Sequence, residues 1–167
     1  MTQDIEPVRD RRWWRLVPAL LGLLAWMVAA CNPSSRCLED TEVYLRAGIY
    51  TRVEGKDVPS HLEDVEVFGL GREDSVLVKG SPARLDLPLD ASQDSCSWVI
   101  RSNTASDTLT FRYRRTTRLL NFECGFIAEF HDLQVSCTFH LIDSLSVREP
   151  FITNTDEENV RLFVDLP

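Results

Sequence analysis

Residues 43–50, Val-Tyr-Leu-Arg-Ala-Gly-Ile-Tyr, alternate in character from one position to the next. Val43, Leu45, Ala47 and Ile49 would lie on one face of an extended strand, and the polar and tyrosine side chains on the other. A period of two is typical of a β-strand that has one buried face and one face in water. The segment therefore predicts a sheet that packs on one side only.

The same alternation continues along the rest of the chain in short segments separated by turn residues, and no segment shows the 3.6-residue stripe of an amphipathic helix. Many short strands predict an all-β fold, and their uneven spacing favours an antiparallel β-sandwich of roughly eight strands over an up-and-down barrel. The strand segments are Val43–Tyr50, Val65–Phe68, Ser75–Val78, Arg84–Leu87, Ser97–Ile100, Thr108–Tyr113, Phe126–Phe130, Val135–Ile142, Leu145–Val147 and Val160–Val164, with a hairpin turn at His131–Gln134.

The first thirty residues have the layout of an export signal. An arginine-containing flank precedes an uncharged apolar run, Leu16–Ala30, which ends in Val28-Ala29-Ala30-Cys31. The run is shorter than the roughly 20 residues of a membrane-spanning helix, and it fits the apolar region of a signal peptide. We expect residues 1–30 to be a lipoprotein signal peptide and Cys31 to carry palmitate-type acyl chains. The alternative is an uncleaved signal anchor in which Cys31 is an ordinary thiol.

Cleavage before Cys31 would leave a tether at residues 31–40 and a single β-sandwich domain at residues 41–167. Several acyl chains would anchor the tether stably, since each buried methylene contributes about 0.8 kcal/mol. Asn32, rather than an aspartate, favours sorting to an outer membrane. No acidic run follows Cys31 directly, which favours a domain that faces the periplasm.

The charge of the chain limits its partners. The net charge is −8, and it becomes about −9 without residues 1–30, which carry four arginines and three acidic residues. An acidic protein is a poor candidate for binding nucleic acid or anionic lipid headgroups. The one local reversal is the arginine-rich segment 112–118, where Arg112 and Arg114 share the strand face opposite Phe111 and Tyr113. This face is either solvated or the contact for an acidic partner or a lipid headgroup.

Four cysteines remain once Cys31 is set aside. Their even number in an exported chain indicates disulfides, with three pairings open, and four free thiols are the alternative. No Cys-x-x-Cys pair is present, and Cys137 with His140 is too few ligands for zinc, so we expect no metal and no cofactor. The four are Cys37, Cys96, Cys124 and Cys137.

A series of short motifs follows Cys37 in a characteristic order. They are Ala47–Tyr50, Val67–Gly71, Asp74–Leu77, Leu87–Asp90, Asp107–Tyr113, Cys124–Phe126 and Asn159–Phe163. Together they resemble a domain-of-unknown-function family of small lipoproteins from Bacteroidales and Flavobacteria (the DUF six-four-five-two type). The resemblance covers nearly all of the chain after Cys31. It implies a lipid-anchored, β-rich protein, and it brings no established activity.

The resemblance also implies a disulfide between Cys37 and Cys124. Such a bond would close a loop of about ninety residues, which contributes about 4–5 kcal/mol in the chain-entropy model. Cys96 and Cys137 would be additions in this member of the family. We expect a second bridge between them, with the two cysteines facing each other across the sandwich.

Catalytic motifs are missing from the sequence. It contains no Gly-x-Ser-x-Gly elbow, phosphate loop or His-Glu-x-x-His motif, and its histidines are His61, His131 and His140. We therefore expect no enzyme but a membrane-anchored envelope lipoprotein that binds or scaffolds another protein. A carbohydrate or small-ligand module would need Trp98 to face outward. An envelope hydrolase would need a histidine within hydrogen-bond reach of a serine or carboxylate in a cleft.

Overall fold

The computed structural model describes residues 37–165. Within this range the chain forms strands and connecting loops and has no helix. The predicted all-β sandwich is confirmed. The strands are β1 (Tyr44–Val53), β2 (Lys56–Pro59), β3 (Val65–Gly69), β4 (Val76–Gly80), β5 (Arg84–Pro88), β6 (Ser95–Arg101), β7 (Ser106–Asn121), β8 (Gly125–Cys137), β9 (Ser144–Val147) and β10 (Val160–Phe163).

The strands form two five-stranded sheets. In the first sheet β1 is central. It pairs in parallel with β10 along one edge and antiparallel with β5 and β2 along the other, and β9 lies outside β10. The second sheet is antiparallel throughout, in the order β4-β3-β6-β7-β8. Each sheet thus contributes one inner face to the sandwich.

The core lies between these inner faces. Leu45, Ala47 and Ile49 of β1 are fully buried, as their alternation predicts. Phe111 and Leu109 of β7 are buried from the opposite sheet, and all five belong to one cluster of apolar side chains. The cluster also includes side chains from loops that close the ends of the sandwich: Leu62, Ile142, Ile152 and Val164.

The prediction that the other face of β1 lies in water is wrong for the middle of the strand. Arg46 is buried, and its guanidinium lies 2.7 Å from the carboxylate of Asp156 and donates to the carbonyl of Thr155. A Cβ atom at Gly48 would overlap the carboxylate of Glu158. The segment before β10 therefore covers the outer face of β1, and only glycine leaves room for it at position 48.

Strand β2 was missed because its sequence is polar. The turn that precedes it consists of Glu54 and Gly55, whose φ angles are 50° and 76°. Val53 pairs directly with Lys56, so two residues connect the strands. Two consecutive positive φ angles are the geometry of the type I′ turn that matches the twist of a hairpin.

The predicted hairpin turn at His131–Gln134 is also wrong, because β8 continues through it. Gln134 pairs with Arg112 and His131 pairs with Arg114, so two residues of β8 face one residue of β7. Asp132 has a φ of 57°, which fits an extra residue in a β-bulge. Aspartate favours turns because it tolerates the left-handed conformation, and at Asp132 the same conformation bends β8 instead of ending it.

The true turn between β7 and β8 lies at residues 122–124. The side-chain oxygen of Asn121 accepts hydrogen bonds from the backbone N–H groups of Glu123 (3.0 Å) and Cys124 (2.6 Å). Gly125 follows with a φ of 76°. An Asx turn closed by a left-handed glycine is a local signal that the sequence does contain. The predicted strand Val135–Ile142 likewise ends early, at Cys137.

Candidate functional site

Strands β7 and β8 extend past the rest of their sheet as a two-stranded arm, residues 114–131. Strand β6 pairs with β7 only as far as Arg112, so the arm has no third strand on that side. Its other edge is held by the loop before β10, where Phe130 and Ile152 exchange two backbone hydrogen bonds of 3.0 and 2.8 Å. An isolated hairpin is marginally stable in water, so the arm depends on such contacts.

A disulfide joins Cys37 to Cys124 at the end of the arm, as the resemblance implies. The two Cα atoms are 4.7 Å apart and 87 residues apart in sequence. The first described residue of the chain is therefore covalently bound to the turn between β7 and β8.

Residues 37–43, here called the strap, run from this bond to β1. The carboxylate of Glu39 accepts a hydrogen bond from the side-chain amide of Asn121 at 2.7 Å. The carbonyl of Asp40 accepts one from the amide of Asn154, also at 2.7 Å. The strap thus connects the turn of one sheet with the central strand of the other.

The end of the arm exposes a group of large apolar side chains that the sequence reasoning missed. Phe122 is 96% exposed and Phe126 is 69% exposed, and both flank Cys124. Leu38, next to Cys37, is 93% exposed, and Leu119 is 42% exposed. We call these four side chains the apolar tip. The period-two pattern gave no signal for them, because it predicts which side chains face a core and not which strand leaves the sheet.

The predicted second bridge between Cys96 and Cys137 is wrong, since both are free thiols. Cys96 on β6 pairs with Phe111 of β7, and Cys137 on β8 pairs with Leu109 of the same strand. The two cysteines lie in one sheet on opposite sides of β7, which puts them about two strand spacings apart. That exceeds the limit of about 7 Å between Cα atoms for a disulfide. Burial raises the pKa of both thiols.

Arg112 and Arg114 are both exposed on β7, opposite the buried Phe111 and Tyr113, as the alternation predicts. The guanidinium of Arg114 lies 3.1 Å from the carboxylate of Asp132 in the bulge of β8. Both partners of this pair are mostly exposed, so its contribution to stability is small. Arg112 makes no ion pair with another described residue, and its charge is available at the surface.

Trp98 faces the core. It pairs with Leu109 across β6 and β7, packs against the buried cluster and donates its indole N–H to the carbonyl of Pro88 at 3.2 Å. The indole ring therefore does not face outward, where it could stack on a sugar. An outward-facing Trp98 was the observation that would have favoured a carbohydrate-binding module.

Two of the three histidines line an open cleft of about 500 Å³ at the end of the sandwich opposite the apolar tip. Its walls include His61, Asp64, Ser102, His140 and Asp143. The hydroxyl of Ser102 is used in its own turn, where it bonds to Thr104 and to the carbonyl of Ala105. None of the hydrogen bonds of the described residues links this serine to a histidine.

The third histidine, His131, lies on the arm. Its Nε2 is 2.8 Å from the hydroxyl of Thr116, and its ring stacks on Phe151 at 4.6 Å between centroids. These contacts hold the loop before β10 against β8.

Asp107, which the sequence reasoning did not single out as a site residue, is the one carboxylate within residues 37–165 that contacts a histidine of the cleft. Nδ1 of His140 lies 3.1 Å from Oδ1 of Asp107. The same carboxylate, which is fully buried, accepts the hydroxyl of Thr138 at 2.6 Å. It also accepts the backbone N–H groups of residues 140, 141 and 142 at 2.7, 2.7 and 2.8 Å. His140 is thus within hydrogen-bond reach of a carboxylate, as a hydrolase would require. The four donors from Thr138 and residues 140–142 nevertheless indicate that Asp107 orders the loop after β8.

The electrostatics of Asp107 agree with this role. Burial alone raises the pKa of the carboxyl, and the hydrogen bonds from Thr138 and from the backbone of residues 140–142 outweigh it, so the pKa falls to about 2. No local sequence pattern points to this carboxylate, because its donors come from a loop more than thirty residues away.

Residues 37–165 contain no group of three or more histidine, cysteine, aspartate or glutamate side chains arranged to hold a metal ion. That part of the chain also has no helix of the length and apolar character needed to cross a bilayer. Cys31, the signal segment and residues 31–36 of the tether lie outside the described residues.

Comparison with known proteins gives a family and no activity. Residues 64–164 match the model described as Family of unknown function (DUF6452). The matched range begins after Cys37, includes Cys124 and ends one residue after β10. No curated protein and no solved structure matches the chain.

We predict that the disulfide supplies a large part of the stability. Replacing Cys37 and Cys124 by serine should lower the free energy of unfolding by about 4–5 kcal/mol, because the bond closes a long loop in the unfolded chain. Denaturant unfolding with and without reductant measures this. The control is the Cys96→Ala, Cys137→Ala variant, whose unfolding should stay sensitive to reductant. Equal stability of wild type in both conditions would contradict the prediction.

We predict a pH-dependent contribution from Asp107. Its folded-state pKa lies below the unfolded value, so its stabilisation is present above about pH 4 and is lost as the pH falls toward 2. Asp107→Asn should therefore lower the free energy of unfolding by about 2 kcal/mol at pH 7, and the difference from wild type should shrink near pH 2. Urea unfolding across this pH range is the measurement.

The matched control is Asp94→Asn, which removes an exposed carboxylate paired with Arg115 at 2.8 Å. This change should have little effect, because an exposed ion pair contributes at most about 1 kcal/mol. A difference between wild type and Asp107→Asn that does not vary with pH would speak against the assignment of the pKa to this carboxyl.

Proposed function

We propose a function that starts from family membership: the chain belongs to the family described as Family of unknown function (DUF6452). We propose that it is a lipoprotein of a bacterial cell envelope, acylated at Cys31 and held at an outer membrane with its domain in the periplasm. Its β-sandwich binds or scaffolds another envelope protein and carries out no reaction of its own.

The observation that carries this proposal is the disulfide between Cys37 and Cys124. Disulfides persist in oxidising compartments such as the periplasm and are rare in the cytosol. The bond begins six positions after Cys31, the residue that follows the apolar run and its small-residue ending. An export signal and an oxidised domain directly behind it support the same location.

A non-enzymatic role is supported by the way the candidate groups are used. The carboxylate of Asp107 is saturated by donors from one loop, and the ring of His131 is stacked on Phe151. Trp98 is packed against the core. Each of these side chains has a role in holding the fold, whereas the charge of Arg112 has none within the described residues.

The test of the anchor uses cells that take up an alkyne-bearing fatty acid. Wild-type protein should carry the label and migrate at the size expected without residues 1–30. Cys31→Ser should be unlabelled and keep those residues. Cys96→Ser is the matched control and should remain labelled, because it keeps Cys31 and changes only a partly buried free thiol. Label that persists in Cys31→Ser, or that is missing from wild type, would contradict the proposal.

The test of the partner contact reverses charge on the arginine face. In the double variant Arg112→Glu, Arg114→Glu, recovery of a cross-linked envelope partner should fall, and recovery with wild type should weaken as salt screens the contact. The double variant Arg72→Glu, Arg148→Glu makes the same charge change at exposed positions away from β7 and should leave recovery unchanged. Equal recovery with both double variants would remove this face from the proposal.

A further inference from the structure

We propose that the apolar tip inserts into the interface of a zwitterionic bilayer, the same bilayer that holds the anchor. The tip consists of Leu38, Leu119, Phe122 and Phe126. This inference rests on the proposed acylation of Cys31, and it adds an orientation: the end of the arm faces the membrane and the cleft points away from it.

The first support is the position of the exposed aromatic rings. Phe122 and Phe126 flank Cys124 in the turn and are exposed at 96% and 69%, while Phe111 and Phe130 on the same two strands are buried. Aromatic side chains on a protruding hairpin are typical of segments that enter a membrane interface, where an apolar body gains from leaving water.

The second support is the rigidity of the tip. Asn121 fixes the turn through two backbone hydrogen bonds, and the disulfide joins the turn to the strap. Glu39 adds a further hydrogen bond to the side chain of Asn121. A turn held in this way presents its apolar side chains without a further loss of conformational freedom on binding.

The third support is the reach of the chain. Six peptide units separate Cys31 from Cys37, and a fully extended chain of that length spans at most about 20 Å. The Cα of Cys124 is only 4.7 Å from that of Cys37. Acyl chains on Cys31 would therefore keep the tip near the bilayer, whereas the far end of β8 lies on the order of 40 Å along the strand from the turn.

The charges around the tip decide which bilayer it fits. Among the described residues, Glu39, Asp40 and Glu123 are sequence neighbours of the apolar side chains, and Arg118, next to Leu119, is paired with Glu129 at 2.5 Å. Acidic side chains are repelled by anionic headgroups, so a surface of zwitterionic lipids is the favourable one.

The experiment places a fluorescent reporter at each end of the arm's strands. Trp98 is the only tryptophan after residue 30, and it is partly buried and packed against the core. Phe122→Trp adds one at the tip, and Phe139→Trp makes the same change at a half-exposed phenylalanine beyond the other end of β8. Each protein, acylated at Cys31 after removal of residues 1–30, is reconstituted into phosphatidylcholine vesicles. The acyl chains of the lipid carry bromine, which quenches tryptophan fluorescence.

We expect a large loss of fluorescence and a blue shift for Phe122→Trp, and emission close to that of wild type for Phe139→Trp. Adding anionic lipid should reduce the quenching at position 122. Flotation of the vesicles is recorded in the same samples, so that anchoring is measured separately from contact of the tip.

The outcomes separate the two proposals. Protein that floats with the vesicles but shows no quenching at position 122, or equal quenching at positions 122 and 139, overturns the tip while the anchor stands. Protein that carries no acyl chain and does not float overturns both. A blue shift at position 122 that depends on protein concentration and not on lipid would assign the tip to contact between copies of the chain.

Discussion

The bond between Cys37 and Cys124 is the constraint on which the rest of the arrangement depends. It joins the start of the described chain to the turn of the β7–β8 arm, and the strap then leads directly into the central strand of the other sheet. Beyond Arg112 the arm no longer pairs with β6, so without this bond it would rely on the loop before β10 and on the contacts of Arg115 with Ala91 and Asp94. Covalent closure is one way in which a protruding hairpin stays ordered in water.

The two ends of the sandwich are held by different interactions. The end of the arm is held by a disulfide and a few side-chain hydrogen bonds, and its large apolar side chains are exposed to solvent. At the other end, the buried carboxylate of Asp107 holds the loop after β8 by charge-assisted hydrogen bonds, and the cleft there is lined by both polar and apolar side chains. The exposed apolar side chains at the end of the arm are the reason for the proposal that this end contacts a bilayer.

Alternation predicted the fold class and the inward side chains, because a half-buried strand must repeat every two residues. Leu45, Ala47 and Ile49 lie where this rule puts them. The rule fails where another principle decides. The outer face of β1 is covered because Gly48 leaves room for Glu158, a residue far away in sequence. Asp132 adopts the left-handed conformation that is also found in turns, so its residue type does not distinguish a bulge from a turn.

The candidate site residues likewise divide into those that the sequence predicts and those that only the folded structure reveals. The pairing of Cys37 with Cys124 came from the resemblance, whereas the fate of Cys96 and Cys137 required strand order, since both lie beside β7 in one sheet. The apolar tip depends on how far β7 and β8 extend past β6, a property of sheet register that hydrophobic pattern does not contain. The role of Asp107 depends on a loop that only the folded chain brings to it.

The most direct measurement for the central claim is the intact mass of the protein extracted from membranes, before and after reduction, with alkylation under denaturing conditions. We expect a chain that starts at Cys31 and carries acyl chains. We also expect two alkylated thiols before reduction, at Cys96 and Cys137, and four after it. A mass that retains residues 1–30, with four thiols alkylated before reduction, would contradict both the lipid anchor and the oxidised domain behind it.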